Sequence, residues 1–531
     1  MTGPQHPQDP PASLARNTAL MAVGTLFSRI TGFGRLFALA YAIGFTRLSD
    51  TYNLANVTPN IVYELVLGGV LSATLVPVFV SRLSTENSEE EAWRGISAVV
   101  TATAAVLVAV SLLFFVLAPL LIRLYTVGNH GDSADEQRAL ATSLLRMFAP
   151  QVAFYGMVTV TTALLQARRR FAIPMFAPVI NNLVVIVVLL TLPHVVDEVS
   201  LAGVGHDAGA RALLGIGTTV GVAAMALVQV PALWRARVRL RFVWEPRHPA
   251  VTTVLRLSGW TFGLVAANQA ALAVVLILAN SRAGDVAAYQ AAQVFFLLPF
   301  GIFAVSVMSA MLPDMSERWS LGDVRGLSRR VDLGLRTIAA VLVPAAVGYL
   351  CLARPIVNVI LDHGALRASS AERTADVLAL FALGLPAYAS YLFFMRTYQA
   401  MQDTRSMFLL YAVENALNIV LALALHPTLG VQGLALAHAL AYSGGSVVAL
   451  FHLNSRTGGV ASTASARAWL RIGGASATMA AAVLLSTAPV TSETAKVGVG
   501  VLAGVSVYLV AAKILGVHEL SLLLRNRRPS T

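Results

Sequence analysis

"LFSRITGFGRLFALAYAIG", residues 26–44, decides what kind of chain this is. It lies inside Thr18–Phe45, an apolar run long enough to cross a bilayer. Arg29 and Arg35 fall near the middle of that run, with Gly32 and Gly34 between them. A central arginine costs about 2.5–3.5 kcal/mol on insertion scales. A segment that keeps two of them either pairs them with buried carboxylates or puts them to use.

Composition settles the surrounding solvent. Of 531 residues, 57% are hydrophobic and only 12% charged, where a soluble protein has about 25% charged. The reading is an all-α polytopic membrane protein. The net charge of +12 is then loop charge and no nucleic-acid footprint, and no nucleic-acid partner is expected. One cysteine, Cys351, excludes an internal disulfide framework.

A span needs about 20 predominantly apolar residues. About fourteen stretches qualify by that measure, near 18–45, 50–81, 95–122, 142–166, 174–194, 212–233, 257–280, 285–313, 333–353, 375–400, 406–425, 432–453, 468–488 and 494–517. Arginine alternates between the connecting loops. One set carries Arg82, Arg94, Arg168 to Arg170, Arg235 to Arg256, Arg318 to Arg330, Arg405, Arg456 and Arg467, and the C-terminal tail adds Arg525, Arg527 and Arg528. The opposite loops are sparse. By the positive-inside rule both termini face the cytoplasm. No loop is long enough for a soluble domain.

"QARRRFAIPMFAPVINN" (166–182) and "QAMQDTRSMFLLYAVEN" (399–415) share their ends, and "SATLVPVFVSRL" (72–83) is similar to "SAMLPDMSERW" (309–319). This weak repeat implies two six-span lobes plus two extra helices, with a site between the lobes as in some secondary transporters. The expected organisation is a disordered tail over 1–16, an N-lobe over 17–241, a C-lobe over 242–454, an added pair over 455–518 and a basic tail over 519–531.

Several polar groups stand out in these spans. The glycines around Arg29 and Arg35 predict an interrupted helix or a re-entrant pair, whose second half would aim its positive dipole end inward. Two guanidiniums beside a helix N-terminus make an anion site, and phosphate fits the fork of arginine best. In the second span Asp50, Asn53, Asn56 or Val57, Asn60, Glu64 and Gly68 share one face. An intramembrane carboxylate is a functional candidate by default, so Glu64 is read either as a coupling group or as the partner of a first-span arginine. In the eleventh span Glu414 and Asn418 are an i, i+4 pair suited to a cation. Lys496 and Lys513 both follow alanine, so no Walker A loop exists and no ATPase chemistry is expected. "HEL" at His518 lacks the second histidine of a zinc protease, and no metal or other cofactor is expected beyond a coupling ion.

The opening residues resemble the MurJ (MviN) family. Its pattern appears as Ser28, Arg29, Gly32 and Arg35, then Asp50, Pro59, Asn60, Gly69, Ser72 and Pro77. The likeness continues in "RRRFAIPMFAPVINN" and "MQDTRS" and extends along essentially the whole chain. The resemblance implies a flippase for lipid II, the undecaprenyl-diphosphate-linked muropeptide of peptidoglycan synthesis, in the cytoplasmic membrane. It implies the multidrug/oligosaccharidyl-lipid/polysaccharide exporter fold and alternating access. It also implies cavity arginines that hold the diphosphate, and a groove on the last two helices for the lipid tail. Ser28, Arg29, Gly32, Arg35, Asp50 and Asn60 are the substrate-site expectation. Glu64, Glu414 and Asn418 are the coupling candidates, for Na+, H+ or the membrane potential. Two family basic positions are replaced here, by Tyr63 and Glu64 after the Pro-Asn pair and by Val294 in the eighth span. Competing readings are an exporter of another undecaprenyl-diphosphate-linked glycan, and a transporter-fold scaffold for cell-wall synthesis proteins.

Overall fold

A computed structural model describes residues 11–64, 70–85, 88–129, 133–168, 170–460 and 463–520. Gly68, Gly69, Arg169 and the arginines of the C-terminal tail lie outside them. The described residues are mostly helical, with no strand among them. In chain order the first part holds α1 (Pro11–Ala42), α2 (Arg47–Tyr63), α3 (Val70–Thr85), α4 (Glu89–Tyr125), α5 (Ala134–Phe148), α6 (Gln151–Ala167), α7 (Ala172–Thr191), α8 (Leu201–His206), α9 (Ala208–Leu227) and α10 (Val230–Arg235). Then follow α11 (Pro249–Ala279), α12 (Asp285–Pro299), α13 (Val305–Ser320), α14 (Val324–Leu361), α15 (Ala368–Leu383), α16 (Leu385–Ala400), α17 (Thr404–Thr457), α18 (Thr463–Thr487) and α19 (Glu493–Leu515).

Nine helices or merged pairs among the described residues are long and apolar enough to cross a membrane. They become ten if α15 and α16, bent by 49°, form one span. The remaining expected spans fall on α1, on α2 with α3, on α11, and on the second half of α17. That last helix runs 54 residues in all, about 80 Å if straight, far more than a bilayer. Gly430 breaks it with φ 57° and ψ −139°, a conformation that a side chain disfavours. α17 therefore serves as two of the expected spans.

The chain divides into two compact units, Met1–Val265 and Ala266–Thr531. The division falls inside α11, later than the expected 241/242 boundary. Physically, Ala250, Val251 and Val254 at the start of α11 pack with Leu75, Phe79, Trp93 and Leu164 of the first unit. In that unit a second apolar cluster joins Ala38 and Ile43 of α1, Tyr52 of α2, Ile122 of α4, Phe148 of α5 and Leu189 of α7. The repeat segments lie on α3 and α7 in the first unit and on α13 and α17 in the second.

Two expectations at the N-terminus are corrected. α1 begins at Pro11, inside the stretch expected to be a disordered tail. Proline suits a first helical position, and the Ala, Leu and Arg that follow favour helix. α1 is also continuous through Gly32 and Gly34, with no interruption and no re-entrant pair. Each glycine costs about 1 kcal/mol relative to Ala. Opening a helix in hydrocarbon leaves backbone groups unsatisfied at several kcal/mol each. The continuous helix is the cheaper state, and the dipole end expected between the arginines does not exist.

Candidate functional site

In the first unit the site is built on α1 and the helix behind it, α7. Gly24, Ser28, Thr31 and Gly32 form a small-residue seam against α7. A Cβ on Gly24 would lie 2.8 Å from Met175 Cβ, and one on Gly32 would lie 3.6 Å from Asn182 Nδ2. Asn182 Nδ2 donates to the Ser28 carbonyl at 3.3 Å and to Thr31 Oγ1 at 3.1 Å. The Thr31 hydroxyl donates to the Phe27 carbonyl at 2.8 Å. Ser28 and Gly32 thus sit where α1 and α7 meet. Asn182, which closes the "QARRRFAIPMFAPVINN" segment, is the residue that sequence reasoning had no role for.

With that seam fixed, the arginines project elsewhere. Arg29 is exposed on the unit and Arg35 half-buried. Six residues apart on a continuous helix, they are offset by about 9 Å along the axis and about 120° around it. Neither guanidinium makes an ion pair or a hydrogen bond to any described residue. The reading in which they pair with buried carboxylates finds no such pair. Glu64 follows the end of α2, half-buried, and its carboxylate meets no described cation.

α2 is more deeply enclosed than its polar stripe implied. Asp50 is completely buried in its first turn, where a carboxylate complements the helix dipole. Asn53 and Asn56 are buried too, and Asn60 Nδ2 donates to the Asn56 carbonyl at 3.1 Å. On the neighbouring face Tyr52 Oη shares a 3.1 Å hydrogen bond with Thr218 of α9. The structure does not connect Asp50, Asn60 or Glu64 to the two arginines through any hydrogen bond or ion pair that either guanidinium makes.

A second constellation lies within the other unit. Glu414 is 1% exposed, and Asn415 and Asn418 are buried beside it on α17. Gly445, past the bend in α17, permits close approach: a Cβ there would be 3.2 Å from Glu414 Cγ and from Tyr391 Cε2. A run of rings continues from it. Tyr391 contacts Tyr411 at 5.5 Å and Tyr442 at 5.4 Å between centroids, and Tyr442 contacts His438 at 4.6 Å. Both Glu414 carboxylate oxygens, Asn418 Oδ1, Tyr391 Oη and His438 Nδ1 are buried without a hydrogen-bond partner. Buried carboxylate oxygens with no partner from the protein call for a proton, a cation or water. The i, i+4 spacing signalled Glu414 and Asn418. Tyr391 and His438 carried no such signal, because they arrive from α16 and from the far half of α17.

Against α18 and α19, also within the second unit, lies an apolar cavity of about 450 Å³. Tyr349 and Leu352 of α14 line it with Met479, Val483, Gly504 and Tyr508.

These helices have counterparts among solved structures. An inward-facing multidrug resistance MATE family transporter of the MOP superfamily aligns over 80% of this chain and 94% of its own, with a TM-score of 0.65 and 12% identity. This chain shares that fold, and it is a polytopic all-α membrane protein. A structure described as lipid II flippase MurJ in an inward closed conformation fits better, with a TM-score of 0.79 at 24% identity over 93% of this chain and 98% of that one. The sequence profile described as "Lipid II flippase MurJ" matches residues 39–507, and the chain belongs to that family. Probable lipid II flippases MurJ from Rhizobium tropici and Thermotoga maritima are each 26% identical to it. The first alignment covers 98% of both chains, and the second covers 97% of this chain and 99% of its relative.

Proposed function

We propose that this protein flips lipid II from the inner to the outer leaflet of the cytoplasmic membrane by alternating access, with both termini in the cytoplasm. It is a transporter with no catalytic step of its own. The observation that carries the reading is the pair of unengaged guanidiniums on α1, in a chain that aligns with flippase relatives over 97–98% of its length. Arg29 and Arg35 take the diphosphate. Arginine grips phosphate with two parallel N–H donors, and a site free of carboxylates leaves both forks available. Ser28 and Gly32 hold α1 on α7, so that the arginines are presented from a rigid helix. The apolar cavity beside α18 and α19 suits a polyprenyl tail. Glu414, with Asn418 and Tyr391, carries the coupling proton or sodium ion. Their orphan oxygens are the type of ligand that hard cations prefer.

Binding of lipid II to purified protein tests the cargo. A charge-assisted hydrogen bond is worth roughly 1.5–3 kcal/mol, so Arg29→Ala or Arg35→Ala should weaken binding about tenfold to a hundredfold, at ~1.4 kcal/mol per decade. Lysine at either position should restore only part of it. Unchanged affinity in both alanine variants, or equal affinity for an undecaprenyl diphosphate with another glycan, would overturn the assignment.

A further inference from the structure

α5 is amphipathic at a depth where a spanning helix is usually apolar. One face, with Leu140, Leu144, Leu145 and Phe148, is buried in the core of the first unit. The other carries Arg138, Thr142 and Arg146 at i, i+4 and i+8. Phe115, Pro119 and Arg123 of α4 face them with the same spacing, and a cavity of about 780 Å³ lies between the two rows. Three guanidiniums and one carboxylate, that of Asp135, line it, so the cavity is cationic.

Its arginines are not equivalent. Arg138 is committed to the protein: it donates to Asp135 at 2.9 Å, to Thr126 Oγ1 at 3.1 Å and to the Asn129 carbonyl at 3.4 Å. Arg123 and Arg146 meet no carboxylate and no hydrogen-bond acceptor among the described residues. The Arg146 guanidinium instead stands 5.5 Å from the centroid of the Phe115 ring. Phe115 is ten residues before the end of α4, about 15 Å along its axis. A cation inside a spanning segment with no acid beside it is costly and calls for a use. Alongside, α4 turns Leu112, Val116 and Leu120 outward, each more than 60% exposed. On a spanning helix such a stripe is a surface for acyl chains.

We infer that this cavity is a binding site for the phosphate of an anionic membrane phospholipid, which enters sideways from the bilayer. Its chains lie along Leu112, Val116 and Leu120, and Arg123 and Arg146 grip its phosphate. Three features coincide: free planar donors that match phosphate, a basic pocket between spanning helices of the kind that selects charged lipids, and an open apolar flank. Because none of these residues belongs to α1 or α17, the site stands or falls independently of the cargo and coupling sites.

Native mass spectrometry of the purified full chain tests it, with phosphatidylglycerol and phosphatidylcholine of matched chains as the probes. Two charge-assisted contacts predict that the wild type retains phosphatidylglycerol over phosphatidylcholine by at least about tenfold. The double variant Arg123→Gln, Arg146→Gln should lose that preference, and Arg146→Lys should keep most of it. Arg241→Gln, on the loop before α11, is the control and should change nothing. Size-exclusion profile and melting temperature show whether each variant is folded. If the double variant fails to fold, Phe115→Leu with Arg123→Gln takes its place and should reduce the preference. No preference in the wild type overturns the proposal, as does an undiminished preference in folded variants. Displacement of the lipid by millimolar inorganic phosphate also overturns it, since the site would then take a soluble anion.

Discussion

Arg29 stands exposed on a continuous helix with no acid beside it, whereas Glu414 is sealed in with both oxygens unpartnered. In the function we propose, these two residues divide the work: Arg29 takes an anion, and Glu414 takes the coupling cation or proton. Glu414→Gln removes that need while keeping shape. It should fold at normal levels and melt no lower than wild type, because an orphan buried carboxylate is replaced by a neutral amide. Transport by this variant should no longer respond to an imposed proton or sodium gradient. Initial translocation rates with and without a gradient check this, and a retained response would remove Glu414 from coupling. Both residues were legible in the sequence, because a charge inside an apolar run is conspicuous. Arg123 and Arg146 were just as visible as letters but were not singled out. Positive-inside counting sums arginines by loop; Arg146 lies inside the expected 142–166 span, and Arg123 directly follows the 95–122 span. The i, i+4, i+8 row of Arg138, Thr142 and Arg146 was the signal available.

At the scale of elements, α1 shows where glycine reasoning misleads. Gly32 and Gly34 suggested a break, yet the bilayer penalises a broken helix more than it penalises two glycines. The glycine that sets the distance to α7 is Gly24, where a Cβ would meet Met175. The space around each glycine therefore sorts the outcomes. Gly32→Ala and Gly34→Ala place a Cβ at 3.6 Å from Asn182 Nδ2 and at 3.5 Å from Ile186 Cδ1, both ordinary contacts. They should be tolerated, or raise the melting temperature slightly, as a better helix former replaces glycine. Gly24→Val pushes into Met175, where a Cβ alone would sit 2.8 Å from another Cβ. It should cost about 1–3 kcal/mol, as overpacking does. Thermal unfolding in detergent measures both, and the reverse ranking would mean that the seam is not what fixes α1. The α17 bend has a similar lesson. The spacing of the expected spans allowed for two helices there, but only Gly430 with its positive φ reveals how one unbroken run of residues serves both.

For the whole molecule, the spans were legible because hydropathy reports directly on the solvent, and arginine alternation suggests their direction. The expected outcome is that both termini and the Arg235–Arg241 segment are cytoplasmic. In a Cys351→Ser background, Leu240→Cys should be shielded from an impermeant thiol reagent applied to intact cells, and Ser200→Cys should react. The opposite pattern would invert the topology. Less legible was where the chain divides. The start of α11 packs with the first unit through Ala250, Val251 and Val254, and apolar residues in a row do not say which neighbour they will bury against.

We propose that this chain moves lipid II and that the α1 arginines hold its diphosphate. The most direct measurement is translocation of a fluorescent lipid II in proteoliposomes, read by quenching from one side with a membrane-impermeant reductant. Wild-type protein should expose the label across the bilayer at a rate well above protein-free vesicles. Arg29→Ala and Arg35→Ala, incorporated at equal density, should fall to the protein-free rate, and Gly32→Ala should match wild type. Wild-type vesicles that leave lipid II where it was placed, or alanine variants that flip it at the wild-type rate, would contradict the account.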